Sequence, residues 1–109
     1  MNTIVVNNNY DYSPWTYSHT QSIIFWNKMM EISELFGQVL REFRKKKGFS
    51  QEYLAGVCNL DRTYISLLER GLRQPTLKTV FALSDALGIS PTMMIKKVEL
   101  IKKNEVKST

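Results

Sequence analysis

The 109-residue sequence predicts an all-α domain of five helices that follows an N-terminal arm. From Ile32 onward, apolar residues recur at spacings of three and four, which is the period of a helix with one buried face. No segment beyond the first few residues alternates with the period of two that is typical of a strand. Helix-capping residues and glycines divide the region into five pieces. We therefore expect an arm at 1–31, flexible or partly packed, a domain at 32–101 and a polar tail at 102–109.

The first two helices are predicted from their apolar positions and their ends. The apolar stripe of the first consists of Ile32, Leu35, Phe36, Val39, Leu40 and Phe43. Basic residues at 44–47 suit the C-terminal end of that helix dipole, and Gly48 supplies a left-handed stop. Ser50 is a favourable N-cap for a second, short helix. The apolar positions of this second helix are Tyr53, Leu54, Val57 and Cys58.

Three further helices follow from caps and stops. Asp61 can cap a third helix that runs to about Arg70. Thr76 can cap a fourth, which Gly88 closes. Its expected buried positions are Leu77, Val80, Phe81, Leu83, Ala86 and Leu87. Ser90 followed by Pro91 is typical of a helix start, and this fifth helix is expected to dissolve after Lys102.

The N-terminal region has a different composition. Residues 2–22 are rich in Asn, Tyr, Ser and Thr and show no helical period, which predicts a flexible arm with aromatic character. The apolar cluster at 23–26 can extend the first helix or pack on the domain. Translation could also begin at Met29 or Met30, immediately before the strong helical signal.

Charge and cysteine content narrow the class of protein. The net charge is +5, and the residues from 32 onward carry 14 Lys and Arg against 8 Asp and Glu. Such a basic domain suits a polyanionic partner, because phosphates release counterions when cations approach. The single cysteine, Cys58, excludes an internal disulfide and fits a reducing cytoplasm. It lies in an apolar pattern, so we expect a buried small side chain rather than a reactive thiol. No apolar run approaches the roughly 18 residues of a membrane span, and a cytoplasmic location is expected.

The second and third helices meet three requirements of a helix–turn–helix. Ala55 is a small residue where the third helix crosses the second. Asn59 tolerates the left-handed backbone of the turn, although less freely than glycine. Ile65 and Leu68 are apolar and spaced to fix the angle between the two helices. Together these features favour a helix–turn–helix.

Residues 36–98 resemble the Cro/repressor-type, or XRE, helix–turn–helix family. The resemblance is carried by Ser50-Gln51-Glu52, Glu69-Arg70-Gly71 and Pro75-Thr76-Leu77. The run at 59–66 is similar to the controller proteins of restriction–modification systems, with Asn59 in place of the usual turn glycine. The resemblance implies a lambda-repressor-like fold and double-stranded DNA as the partner. It also implies that Arg44 and Glu69 form an internal ion pair.

A recognition helix presents its first residues and its outer face to base edges in the major groove. The expected base-reading residues are Arg62, Thr63, Tyr64, Ser66 and Leu67. Arg62 suits bidentate hydrogen bonding to guanine, whereas Leu67 could equally pack at the domain surface. The expected phosphate contacts are Gln51, Arg70 and Arg73. The run at 45–47 is either a further phosphate contact or a solvated helix end.

We expect a homodimer that binds a palindromic operator, because two copies related by a two-fold axis can read successive major grooves about 34 Å apart. The candidate interface residues are Met93, Met94, Val98 and Ile101. The same residues could instead complete the core of the single chain. Repression, activation or autoregulation near its own gene would each follow from promoter occupancy.

Other functional classes fit less well. The only histidine, His19, lies in the arm, and no paired carboxylates, metal-ligand cluster or phosphate-binding glycine loop is present. We therefore expect no enzyme activity, metal or cofactor. The main alternative is an antitoxin that binds its own operator and also a toxin through the arm. The aromatic residues that suggest such a partner are Tyr10, Tyr12, Trp15 and Tyr17. A protein-interaction adaptor without DNA binding is a third hypothesis.

Overall fold

A computed structural model describes the backbone of residues 19–108 and the side chains of residues 31–104. It contains five α-helices and, within residues 19–108, no strand. The helices are α1 (His19–Lys47), α2 (Gln51–Cys58), α3 (Arg62–Glu69), α4 (Leu77–Leu87) and α5 (Pro91–Ser108). The all-α prediction of five helices with a helix–turn–helix is confirmed.

The helix starts are fixed by short polar side chains. Ser50, Thr76 and Ser90 each accept a hydrogen bond from the backbone amide three residues further on, at 2.9, 3.1 and 3.1 Å. Each bond satisfies one of the amides that the first turn of a helix leaves without a partner. Asp61 occupies the N-cap position of α3 with extended backbone, yet its side chain makes no capping hydrogen bond. Its contribution there is limited to placing negative charge near the helix N-terminus.

The turn between α2 and α3 has the predicted left-handed residue. Asn59 has a φ of 57°, and it is the one non-glycine residue with positive φ in the described backbone. The amide of the next residue, Leu60, donates to the carbonyl of Ala55 at 2.8 Å and closes the end of α2. Asparagine therefore performs the role that glycine usually has in this turn.

The two terminal helices are longer than the sequence pattern suggested. The backbone is already helical at His19, so the cluster at 23–26 extends α1, which was one of its two expected roles. At the other end, α5 continues to Ser108 and does not dissolve after Lys102. Neither extension contains a glycine or proline that would interrupt it. The aromatic residues proposed for a toxin contact lie outside the described residues, namely Tyr10, Tyr12, Trp15 and Tyr17.

All five helices contribute to one core. The buried apolar residues are Leu35, Phe36, Val39, Leu40, Leu54, Ala55, Ile65, Leu68, Val80, Leu83, Leu87, Met94 and Val98. Several positions that the pattern placed inside are exposed instead: Tyr53, Val57, Leu77 and Phe81. A period of 3.6 identifies an apolar face but does not show where the neighbouring helix stops covering it. None of the helices in the described part of the chain has the length and apolarity needed to cross a membrane.

Helices α1 and α5 run antiparallel along one side of the domain. Lys97 Nζ lies 3.8 Å from Glu42 Oε1, and Lys102 Nζ lies 3.6 Å from Glu31 Oε1. The later residue of α5 thus pairs with the earlier residue of α1, as expected for antiparallel helices. These exposed pairs add little stability, because water screens them. Helix α1 also contacts α3, through the part of the helix that contains Gly37.

Candidate nucleic-acid interface

The inner face of α3 anchors it firmly to the domain. Ile65 and Leu68 are fully buried, and Ala55 of α2 is almost completely buried. Burying a leucine or isoleucine side chain stabilises by about 1.5–3 kcal/mol, so these contacts hold the angle between α2 and α3. The first turn of α3 therefore has a fixed position, with its outer side chains open to solvent.

The predicted base-reading residues differ in exposure. Arg62 and Thr63 are exposed in the first turn of α3, whereas Ser66 and Leu67 are half-buried. Tyr64 is also half-buried and packs against the core, a contact that the sequence pattern did not indicate. Arg62 and Thr63 are thus the two with most freedom to reach a base edge.

Arg62 and the N-terminus of α2 share one cleft. The cleft has a volume of about 440 Å³, and its lining residues are Arg44, Ser50, Gln51, Glu52 and Arg62. The structure therefore brings together a predicted base-reading residue, Arg62, and a predicted phosphate contact, Gln51. Helix N-termini with free amides and a nearby guanidinium are suited to binding an anion.

Arg44, which lines this cleft, forms a buried ion pair with Glu69. Arg44 Nε donates to Glu69 Oε2 at 2.5 Å and Arg44 Nη2 donates to Glu69 Oε1 at 3.0 Å, which confirms the ion pair that the family resemblance implied. The hydrogen bond to Glu69 raises the pKa of Arg44 above its ordinary value, against the opposing effect of burial. The same Glu69 Oε1 also accepts from Gln51 Nε2 at 3.0 Å. One carboxylate thus connects α1, α2 and α3.

Gly37 permits the close approach of α1 and α3, and sequence reasoning missed it. A Cβ at this position would lie 2.6 Å from the backbone oxygen of Glu69 and 2.8 Å from its carbonyl carbon. Only glycine allows that approach without displacing a helix. The available signal was a glycine inside a strong helical stripe, where it costs about 1 kcal/mol relative to alanine.

The other predicted phosphate contacts lie at the opposite end of α3. Arg70 is the C-cap of α3, and both Arg70 and Arg73 are exposed in the segment that follows. Gly71 between them has a φ of 75°, and a Cβ there would lie 2.7 Å from Glu34 Cγ of α1. The two arginines are therefore presented on a segment that packs against the domain.

A helix-turn-helix family model matches residues 40–93. The control protein C.BamHI of Bacillus amyloliquefaciens is 50% identical over 58 residues, which cover 52% of this chain and 72% of that protein. The chain belongs to the XRE-type helix–turn–helix family of transcription regulators.

Solved structures of family members agree with this assignment. The crystal structure of the restriction–modification controller protein C.AhdI from Aeromonas hydrophila is similar with a TM-score of 0.56 and 45% identity, covering 57% of this chain and 94% of that one. The C.Esp1396I controller tetramer, crystallised with its natural 35-base-pair operator, has a TM-score of 0.55 and 37% identity over 62% of this chain and 93% of that one. These proteins are regulators, as is this chain.

In this regulator two of the four predicted interface residues lie in the core. Met94 is fully buried and Val98 is 8% exposed, so both complete the core of the single chain, which was the alternative role. The Met94 sulfur also accepts a hydrogen bond from the Ser84 hydroxyl of α4 at 3.4 Å. Ile101 is half-buried against the same core, and Met93 alone is exposed.

A different apolar surface lies between α4 and α5. Leu77, Phe81 and Ile95 are 76%, 57% and 50% exposed and line a groove of about 490 Å³. Lys96 and Glu99 lie at the same groove and make no ion pair in the described part of the chain. An apolar surface flanked by opposite charges is typical of a protein contact.

Proposed function

We propose that this regulator binds a palindromic double-stranded DNA operator as a homodimer and represses the promoter that it occupies, including one near its own gene. The observation that carries the proposal is the first turn of α3, where Arg62 and Thr63 are exposed while Ile65 and Leu68 anchor the helix. A recognition helix needs this combination of a rigid inner face and a free outer one. The operator-bound C.Esp1396I structure supports the proposal.

Sequence discrimination is assigned to the outer residues of α3. Arg62 offers two parallel N–H donors to the O6 and N7 acceptors of guanine, a contact worth about 1–3 kcal/mol of discrimination. Thr63 and Ser66 supply hydroxyl groups that can pair with several base edges. Tyr64, Ser66 and Leu67 are half-buried, so their reach into the groove is shorter than that of Arg62 and Thr63.

Register on the DNA is assigned to two groups of phosphate contacts. Gln51 and the first amides of α2 form one group, where the helix dipole favours a phosphate. Arg70 and Arg73 form the other, beyond the C-terminal end of α3. Contacts at both ends of a recognition helix fix its orientation in the groove without reading sequence.

The dimer contact is assigned to the groove between α4 and α5. Burial of Leu77, Phe81 and Ile95 against a second copy would remove exposed apolar surface from water. In a two-fold dimer the groove of one protomer packs against the same groove of the other. Lys96 of each protomer can then face Glu99 of the other. This self-complementary charge pattern supports a second copy as the occupant.

Gel shift at physiological salt tests specific recognition, with the DNA upstream of the gene and a scrambled competitor. Arg62→Ala should reduce the preference for the operator over scrambled DNA by about 1–3 kcal/mol, because one base-reading contact is lost. Gln51→Ala should weaken binding to both DNAs by a similar factor, because a phosphate contact carries no sequence information. Equal affinity of the wild-type protein for the two DNAs would refute the proposal.

Sedimentation velocity tests the dimer surface with a matched pair of variants. Ile95→Glu places a charge in the groove and should give monomers at micromolar concentration. Met93→Glu is the control, since Met93 is 53% exposed on the same helix and does not line the groove. Dissociation by Met93→Glu, with Ile95→Glu still dimeric, would move the interface to the other face of α5.

A further inference from the structure

The side chain of Gln51, at the N-terminus of α2, is hydrogen-bonded to Glu69, at the C-terminus of α3. Gln51 Nε2 donates to Glu69 Oε1 at 3.0 Å. That oxygen also accepts from Arg44 Nη2, and the other carboxylate oxygen accepts from Arg44 Nε. Both oxygens of Glu69 are therefore used, and among the residues whose side chains are described Gln51 is the one uncharged partner of this carboxylate.

The carboxylate of Glu69 has little freedom to move. Its side chain is 3% exposed, and that of Arg44 is 10% exposed. Arg44 Nη1 donates to the carbonyl of Phe49 at 2.8 Å, and Phe49 immediately precedes the Ser50 N-cap of α2. Charge-assisted bonds of this kind are roughly twice as strong as neutral ones, so the pair forms a fixed reference point behind α2.

A fixed carboxylate determines which way the Gln51 amide points. An ionised carboxylate only accepts hydrogen bonds, so the amide nitrogen of Gln51, and not its oxygen, must face Glu69. The nitrogen carries a second hydrogen that this bond does not use. If Glu69 were absent, the amide could rotate and present its oxygen to the cleft, where it would repel a phosphate oxygen.

The surroundings of the second hydrogen suit a DNA phosphate. The first amides of a helix lack intrahelical partners, and Ser50 caps only the amide of Tyr53. The backbone amides of Gln51 and Glu52 therefore have no intrahelical hydrogen-bond partner. They lie at the N-terminus of α2, beside the cleft that Arg62 also lines. One phosphate at this point can accept from the helix N-terminus and from the Gln51 side chain together.

We propose that Glu69, held by Arg44, is a positioning residue for DNA binding that keeps the Gln51 amide oriented to donate to a DNA phosphate. This inference rests on the proposed function. In this proposal Glu69 does not contact DNA itself but acts through Gln51. The ion pair thus serves DNA affinity in addition to joining three helices.

A double-mutant cycle tests the inference with three variants of the full chain. Gln51→Met removes the donor and keeps the shape of the side chain. The double variant Arg44→Met with Glu69→Met removes the anchor, and replacing a buried ion pair by apolar residues of similar volume is often neutral for folding. The third variant combines all three substitutions. Thermal unfolding of each variant confirms that it is folded before DNA is added.

Gln51→Met should weaken operator binding by about 10- to 100-fold, as expected for one hydrogen bond to a charged group. The anchor variant should weaken it by a similar factor although its Gln51 is intact. The triple variant should bind like Gln51→Met alone, because both changes disable the same contact. Wild-type affinity in the anchor variant, or a triple variant in which the two factors multiply, would overturn the inference.

A measurement on the DNA-free protein separates this inference from the proposed function. In the NMR spectrum of the wild-type protein, the two side-chain amide protons of Gln51 should be ordered and one of them protected from solvent exchange. In the anchor variant both should resemble those of an exposed glutamine. An unchanged signal would overturn the positioning role. Failure of the wild-type protein to bind DNA, with the Gln51 signal changed as expected, would refute the DNA-binding function while retaining the contact.

Discussion

The same substitution, glycine to alanine, is expected to have opposite effects at two helical positions. Gly37 lies in α1 where the backbone of α3 approaches, whereas a Cβ at Gly56 in α2 would have no atom within 4 Å beyond its chain neighbours and its own helix backbone. Both positions have ordinary helical backbone, since neither is among the glycines with positive φ. Space around the added methyl group is therefore the main difference between the two variants.

The magnitudes follow from propensity and packing. Alanine is favoured over glycine inside a helix by about 0.8–1.0 kcal/mol, so Gly56→Ala should stabilise by nearly that amount. At Gly37 the methyl carbon would lie 2.6 Å from the oxygen of Glu69, whereas non-bonded heavy atoms rest at about 3.5 Å or more. Helix α3 would have to retreat by nearly 1 Å. Overpacking of this kind costs about 1–3 kcal/mol or more, and the neighbours here are rigid backbone. We expect a net destabilisation of about 1–2 kcal/mol.

Thermal unfolding followed by far-ultraviolet circular dichroism measures both changes. A change of 1 kcal/mol shifts the Tm of a domain of this size by about 4–8 °C, so the two variants should move in opposite directions by easily measured amounts. Operator binding provides a second readout, because only Gly37→Ala displaces α3. If Gly37→Ala proved as stable as Gly56→Ala, the close approach of α1 and α3 would not exist and the reasoning would be wrong.

Two further predictions concern single side chains. Thr76→Ala should lower the free energy of urea unfolding by about 1 kcal/mol, because the Thr76 hydroxyl caps the Thr79 amide at 3.1 Å. Asp61→Ala should lower it by only a few tenths of a kcal/mol, since the Asp61 side chain makes no capping hydrogen bond. Similar losses at both positions would contradict this prediction. Burial raises the pKa of the Cys58 thiol above its ordinary value of 9.0, with Asp85 adding to the effect. The folded state therefore holds this proton more tightly than the unfolded state. The resulting stability is fully present below pH 9.0 and is lost as pH rises through the folded pKa. Unfolding free energy should fall more steeply above that pH in the wild type than in Cys58→Ser, and equal slopes would refute the assignment.

Local features of the fold could be predicted because their causes are local. Ser50, Thr76 and Ser90 cap their helices through atoms three residues away, and the left-handed turn at Asn59 depends on one residue. The buried face of α3 also followed from its period, since Ile65 lies there with Leu68 three residues further on. In each case the sequence itself contains both partners of the interaction within one or two turns.

Features that join distant segments could not be predicted in this way. The period of α4 and α5 marks both Phe81 and Met94 as apolar, yet one is exposed and the other fully buried. Which of them is covered depends on how the helices pack against one another, and no local pattern contains that information. The hydrogen bond from Gln51 to Glu69 joins residues 18 positions apart along the chain. Its geometry depends on how α1, α2 and α3 pack together, which the sequence pattern does not specify.

The charged pair behind the proposed DNA-binding surface has a property that an apolar contact lacks. Apolar contacts such as those of Ile65 and Leu68 fix the angle between α2 and α3, but they have no direction and cannot orient an amide. A buried ion pair is weak evidence for stability, because desolvation of its charges offsets their attraction. Its distinctive property is that a carboxylate accepts and never donates, which distinguishes the nitrogen of Gln51 from its oxygen. In this regulator the apolar core places the helices, while the Arg44–Glu69 pair holds the Gln51 amide that we propose donates to a DNA phosphate.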